Sequence, residues 1–162
     1  MQPFLDLPIS GNVIVLWLIG LPLLWTPVIY LAGRLSRGWN VSRWVALLAL
    51  ASAWWPFAEA YDAFQTSGEL AVMGQGVALR LDGVSLLLTA VVLLLTTIVV
   101  LYSGPYMARE TGEEKYYAMV TAMAGVMIGL GCAADLFNLW LWFEAMAVTS
   151  YLLVAFYREQ PA

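Results

Sequence analysis

Glu144 is the one charged residue in the run from Leu136 to Tyr157. If that run is a helix rising about 1.5 Å per residue, Glu144 lies roughly 12 to 14 Å from Asp135, near the middle of a hydrocarbon core about 30 Å thick. A carboxyl at that depth is a functional hypothesis by default. Low dielectric disfavours its charged form, so the chemistry on offer is proton exchange, with the anion favoured only when a cation faces it. The positions one turn away are Trp140, Leu141, Ala147 and Val148, with Phe137 and Tyr151 two turns away. None is a cation, so a charged partner has to come from another helix. The competing role is a neutral acid that donates one hydrogen bond and holds two helices together.

Composition sets the context. Of the 162 residues, 62% are hydrophobic and 11% charged, against about 45 to 50% apolar in a soluble domain. The mean hydropathy of +0.81 points the same way. Eight Trp, eight Tyr and six Phe suit interfacial belts as well as packing. With no His and a single Cys, Cys132, the chain offers no histidine relay, no cysteine cluster and no internal disulfide. The net charge of −4 and the lack of a basic run or phosphate loop argue against a nucleic-acid partner. No cofactor or metal is expected in this chain. Carboxylates, hydroxyls and water are left to do the chemistry.

The elements that position Glu144 read as an all-α integral membrane protein, one membrane domain over 1–162. Helices are predicted at about 12–32, 44–64, 84–103, 117–134 and 136–157. The first residues lack the positive flank of a secretory signal, so the first span is expected to be retained. Pro22 and Pro27 should bend that span, and Ser103-Gly104-Pro105 should end the third. Glu59 falls near the far end of the second span and reads as a solvated helix-end acid. Between spans two and three, Glu69 to Met73 and Val77 to Leu81 are two short β-capable runs set among glycines, which predicts a small extramembrane hairpin. Asp82 precedes Gly83-Val84-Ser85 and is placed to cap the third span, its carboxylate meeting the orphan amides and the positive end of the helix dipole. Gly125 and Gly129 in the fourth span have the G-x-x-x-G spacing that lets another helix approach closely. They are expected to receive a helix from a partner protein. The fourth and fifth spans, one or two residues apart, should form a tight antiparallel pair with Asp135 at the turn.

Loop charges orient the chain. Arg34, Arg37 and Arg43 follow span one, Arg109 and Lys115 follow span three, and Arg158 follows span five, whereas Arg80 alone falls on the other side. By the excess of basic residues in cytoplasmic loops, the N-terminus is outside and the C-terminus cytoplasmic in a multi-pass inner-membrane protein.

The order of several short motifs then resembles one family. Asp82-Gly83-Val84-Ser85-Leu86-Leu87-Leu88, Tyr116-Tyr117-Ala118, Asp135-Leu136-Phe137, Phe143-Glu144-Ala145-Met146 and Ser150-Tyr151-Leu152-Leu153-Val154 look like the antiporter-like membrane subunits of respiratory complex I. Large subunits of energy-converting hydrogenases and of multisubunit cation/proton antiporters are related to these. The likeness runs over about 10–157 and is sharpest from Leu81 onward. It implies that Glu144 is the fifth-helix glutamate that pairs with a lysine on a later, broken helix and takes part in proton translocation. The family usually places Trp directly before this acid. Here Phe143 holds that position and Trp142 the one before, a rotation of about 100° around the helix. Family members continue into further helices that carry the partner lysine, so the resemblance implies a chain truncated relative to the family, either half of a split subunit or a shortened structural relative.

Two functions follow from this reading. The chain is a membrane subunit of a complex I-like proton- or cation-translocating assembly, in which Glu144 is the protonatable residue. Alternatively it is a non-catalytic structural subunit packing against other membrane proteins of a respiratory or photosynthetic complex. It is not catalytic alone; in the first case it belongs to a translocase of the NADH-quinone oxidoreductase kind. The expected partners are the lipid bilayer and other membrane subunits, one of which supplies a cation facing Glu144.

Overall fold

The structure, a computed structural model, describes residues 9–36, 41–74, 77–107 and 112–156. The loop cations Arg37, Arg109 and Arg158 and the N-terminal residues read above for a signal lie outside them. The described residues form α1 (Ile9–Leu35), α2 (Val41–Ser67), β1 (Leu70–Gly74), β2 (Val77–Leu81), α3 (Gly83–Met107), α4 (Glu113–Gly131) and α5 (Leu136–Ala155). This is an all-α membrane protein with one hairpin inserted between its second and third helices. Val13–Leu35, Gly83–Met107 and Leu136–Ala155 are each long and apolar enough to cross a bilayer. α2, with 27 residues, and α4, with 19, are about 40 and 28 Å long and lie among them.

α4 is the axis of the bundle. α1, α2, α3 and α5 all pack on it, and Tyr117, Thr121, Ala124, Gly125 and Ile128 are among its buried residues. A helix surrounded by protein needs close approach more than an apolar outer surface, which accounts for its Ala, Gly and Thr content. A Cβ at Gly125 would stand 2.9 Å from Leu23 Cγ and 3.2 Å from the Ile19 carbonyl oxygen of α1. At Gly129 it would stand 2.6 Å from the Trp142 ring of α5. Both glycines therefore receive helices of this same chain, which corrects the expectation of a partner protein at this face. The spacing encodes a close approach and carries no record of whose helix approaches.

Helix ends follow local chemistry, and two of the departures from the expected boundaries trace to named contacts. Gly68 closes α2 in the left-handed region, φ 78°, its N–H donating to the Phe64 carbonyl at 2.8 Å; such a φ favours glycine. α3 does not end at Ser103-Gly104-Pro105 but runs through Pro105 to Met107. Proline lacks the N–H that would reach the Leu101 carbonyl four residues earlier. Arg43, at the start of α2, supplies that donor, its Nη2 lying 2.8 Å from the Leu101 oxygen. Gly104 makes the insertion sterically feasible, since a Cβ there would collide with the Arg43 guanidinium. The second departure is α4, which stops at Gly131 because the next residues bond to the hairpin. Arg80 N–H donates to the Cys132 carbonyl at 2.7 Å, and Ala134 N–H to the Ala78 carbonyl at 3.0 Å.

The hairpin pairs Leu70 with Leu81, Val72 with Leu79 and Gly74 with Val77. Its alternation puts Leu70, Leu79 and Leu81 into the core, while Arg80 on the other face forms an ion pair with Glu69 at 2.8 Å. That pair is solvent-exposed on both sides and contributes little.

The helices alternate direction, so one end of the bundle gathers the C-termini of α1, α3 and α5 with the N-termini of α2 and α4. Gly33 abuts Ser42 and Glu114 there, and Tyr116 stacks near Phe156 at 6.1 Å. Among the described residues this end carries Arg34, Arg43 and Lys115. The opposite end carries the hairpin, Asp82 and Asp135.

Candidate functional site

The frame around Glu144 begins at Asp135. Its backbone is extended, φ −136° and ψ 166°, and its carboxylate accepts the Asn138 N–H at 2.6 Å and the Asn138 Nδ2 at 2.8 Å. These bonds, the main-chain one first, hold the Asp135 carboxyl below the usual carboxylate range. The sequence carried this signal as Asp-x-x-Asn before an apolar run, and the pair was not singled out there.

From that cap, α5 sends Asn138 and Thr149 into the bundle, together with the half-buried Trp142. Trp142 lies over Gly129, and its indole N–H is buried without an acceptor among the described residues. Thr149 turns its hydroxyl back to the Ala145 carbonyl. Two residues along an α-helix is a rotation of about 200°. Trp142 facing inward therefore turns Glu144 outward, and Glu144 is exposed on the chain. Around it are Phe137, Trp140, Leu141, Val148 and Tyr151, all exposed, with the Phe137 and Trp140 rings 6.3 Å apart. Among the described residues Glu144 makes no hydrogen bond or ion pair. The site is one carboxyl on an apolar, aromatic face that nothing among the described residues covers, and it is equipped to exchange a proton with, or to pair with, a group brought by another helix.

The other residues expected to matter lie elsewhere. Asp82 precedes α3 and accepts the Ser85 N–H at 2.9 Å and the Ser85 hydroxyl at 3.0 Å. The Ser85 hydroxyl also lies 2.7 Å from the Gly131 carbonyl, so the same serine ties α3 to the end of α4. The Ser85 N–H bond, foremost, keeps the Asp82 carboxyl below its ordinary value. Cys132 follows directly; burial, and then the nearby Asp82 charge, push its thiol up to about 12. Gly125 and Gly129 line packing contacts and not the Glu144 face. Sequence reading missed Arg43, whose reach of 58 residues to Leu101 could have been sought only through the carbonyl that Pro105 leaves free.

Residues 71–117 match the N-terminal family of chain 5 of NADH-ubiquinone oxidoreductase, complex I. NAD(P)H-quinone oxidoreductase chain 5 of Synechocystis is 31% identical over 62 residues, covering 38% of this chain and 9% of that protein. Subunit 5 of the chloroplast enzyme of Digitalis grandiflora is 31% identical over 61 residues, with the same shares. Residues 71–117 are thus similar to N-terminal sequence of an antiporter-like complex I subunit. It aligns with about a tenth of the length of these relatives. The family match runs from the hairpin through α3 to the first turns of α4, ending before the α5 residue Glu144.

Proposed function

We propose that this chain is a membrane subunit of a complex I-like assembly that translocates protons or cations, and that Glu144 is its protonatable intramembrane residue. The carrying observation is the placement of Glu144 on an apolar helix, exposed and without a partner among the described residues. A carboxyl left against hydrocarbon is costly, so the face that bears it is built to be covered. Its covering helix, on this reading, belongs to another subunit and presents a cation, in keeping with the complex I names of the relatives. The same reading places the end with Arg34, Arg43 and Lys115 in the cytoplasm and the hairpin outside.

Glu144→Gln tests it, because the amide keeps volume and hydrogen bonding while removing the exchangeable charge. The assembly should form normally, and proton uptake into sealed vesicles should fall at least tenfold at matched subunit content. A purely structural acid gives the opposite result. A membrane hydrogen bond contributes about 0.6 to 2 kcal/mol, which glutamine can supply, and uptake at the wild-type rate in this variant would leave only the structural role.

A further inference from the structure

Glu59 reads from the sequence as a solvated helix-end acid, but it stands in the wall of a cleft of about 550 Å³ between α1 and α2. Val13, Trp17 and Leu21 of α1 and Trp55 and Pro56 of α2 make the rest of the lining apolar. Both indoles are exposed. Counted from Arg34 and Arg43 at the other end of the bundle, Trp17 and Glu59 lie about 24 to 26 Å along their helices, and Leu21 and Trp55 about 18 to 20 Å. Against a hydrocarbon core about 30 Å thick, the acid and the Trp17 ring stand at the far head-group boundary, and the apolar floor lies a few Å deeper. Among the described residues Glu59 makes no hydrogen bond or ion pair. Its end of the bundle also holds Asp62, Glu69, Asp82 and Asp135, and the one described cation there, Arg80, is paired with Glu69 at 2.8 Å. No described cation is left to offset Glu59.

We infer that this cleft is a binding site for a lipid with an ammonium head group, the ammonium resting on the Glu59 carboxylate and the Trp17 ring and one acyl chain running along Leu21, Trp55 and Pro56. Two features select the ammonium. Glu59 is the charged residue of the lining and lacks a counter-ion, and an indole face attracts a cation. The phosphodiester is common to all phospholipids and stays in the water beyond Glu59, so the terminal group decides. A glycerol head brings no cation and adds net negative charge where carboxylates already prevail. The depth of the acid favours a lipid over a cation-bearing helix of another protein, because it coincides with the layer where head groups lie and where tryptophan gathers. The inference rests on the helices lying in a bilayer and is independent of any role for Glu144.

The test uses the full chain in its native assembly, delipidated in detergent and titrated with phosphatidylethanolamine or phosphatidylglycerol bearing the same photoactivatable acyl chain. Phosphatidylethanolamine should label peptides containing Leu21 and Trp55 at least tenfold more strongly than phosphatidylglycerol, and excess free ethanolamine should leave that labelling in place. This comparison needs no variant, so it holds even if a substitution disturbs assembly. Glu59→Gln should shrink the preference to less than threefold. Trp17→Leu keeps the apolar wall but removes the ring, and should lower phosphatidylethanolamine labelling two- to fivefold, the effect of an exposed cation–π contact. Equal labelling by the two lipids, full displacement by free ethanolamine, an unchanged preference in Glu59→Gln, or no label on either peptide because a helix of another subunit fills the cleft would each overturn the proposal.

Discussion

α4 and α5 are neighbours of nearly equal length, 19 and 20 residues, and they solve opposite problems. α4 is enclosed by four helices of its own chain. α5 packs mainly on α4, and only 11% of its apolar window is buried, against 33% for α3. Yet Glu144, a carboxyl without a partner among the described residues, is on α5 and not on the enclosed helix. In a bilayer the protected place for a charge is the bundle interior, so an acid turned outward marks a surface meant for contact. The enclosed helix defines the fold of this chain, whereas the open one defines what the chain joins.

That contrast can be broken first at Gly125. Gly125→Leu would drive a side chain into Leu23 and the Ile19 backbone, an overpacking that costs about 1 to 3 kcal/mol or more. Thermal denaturation in detergent should fall by several degrees. Val148→Leu on the outward face of α5 should leave the isolated chain unchanged. If the two variants behave alike, α4 is not the enclosed helix.

A smaller effect is expected at Arg43. Arg43→Ala deprives the Leu101 carbonyl of its donor and should cost about 1.5 kcal/mol, the low end of the range for a bond to a charged group, because this one is exposed. Pro105→Ala restores a main-chain N–H at the right position. Placed in the Arg43→Ala background it should recover part of the loss, measured as a double-mutant cycle in reversible detergent unfolding. Strict additivity of the two changes would remove the link between α2 and α3.

The smallest effect concerns Asp82, the acid that caps α3. Asp82→Ala should destabilise by about 1 kcal/mol, the usual worth of an N-cap. Because the folded carboxyl is held below its unfolded value, its contribution is present above about pH 3.9 and is lost as the pH falls through the folded value. Acid titration of unfolding should therefore show less loss below pH 4 in Asp82→Asn, which retains a capping oxygen, than in the wild type. Identical acid limbs would mean that Asp82 does not feel the helix end.

What could be read from the sequence was what adjacent residues encode. Hydrophobic runs of spanning length announced the helices, and β-capable runs among glycines announced the hairpin, because both depend on local periodicity and turn chemistry. Glu144 stood out because a single charge in an apolar run is visible without any structure. The use of Gly125 by α1 could not be read, since small-residue spacing is the same whether the incoming helix is internal or foreign. Nor could the continuation of α3 through Pro105, which depends on a guanidinium arriving from far along the chain. The direction of Glu144 became legible only once Trp142 was seen on Gly129, because helical phase is set by packing.

The bonds between the hairpin and the α4–α5 link have a mechanical consequence. Arg80 to Cys132 and Ala134 to Ala78 form a backbone clasp between two connections far apart in sequence. Side-chain packing alone lets helices slip past one another by a fraction of a turn, but a clasp of this kind fixes their heights relative to one another. Piston-like travel of α5 against α3 is thereby opposed. Any movement of α5 has to be a swing hinged at the clasped end, with its amplitude greatest where α5 meets the cation-bearing end of the bundle.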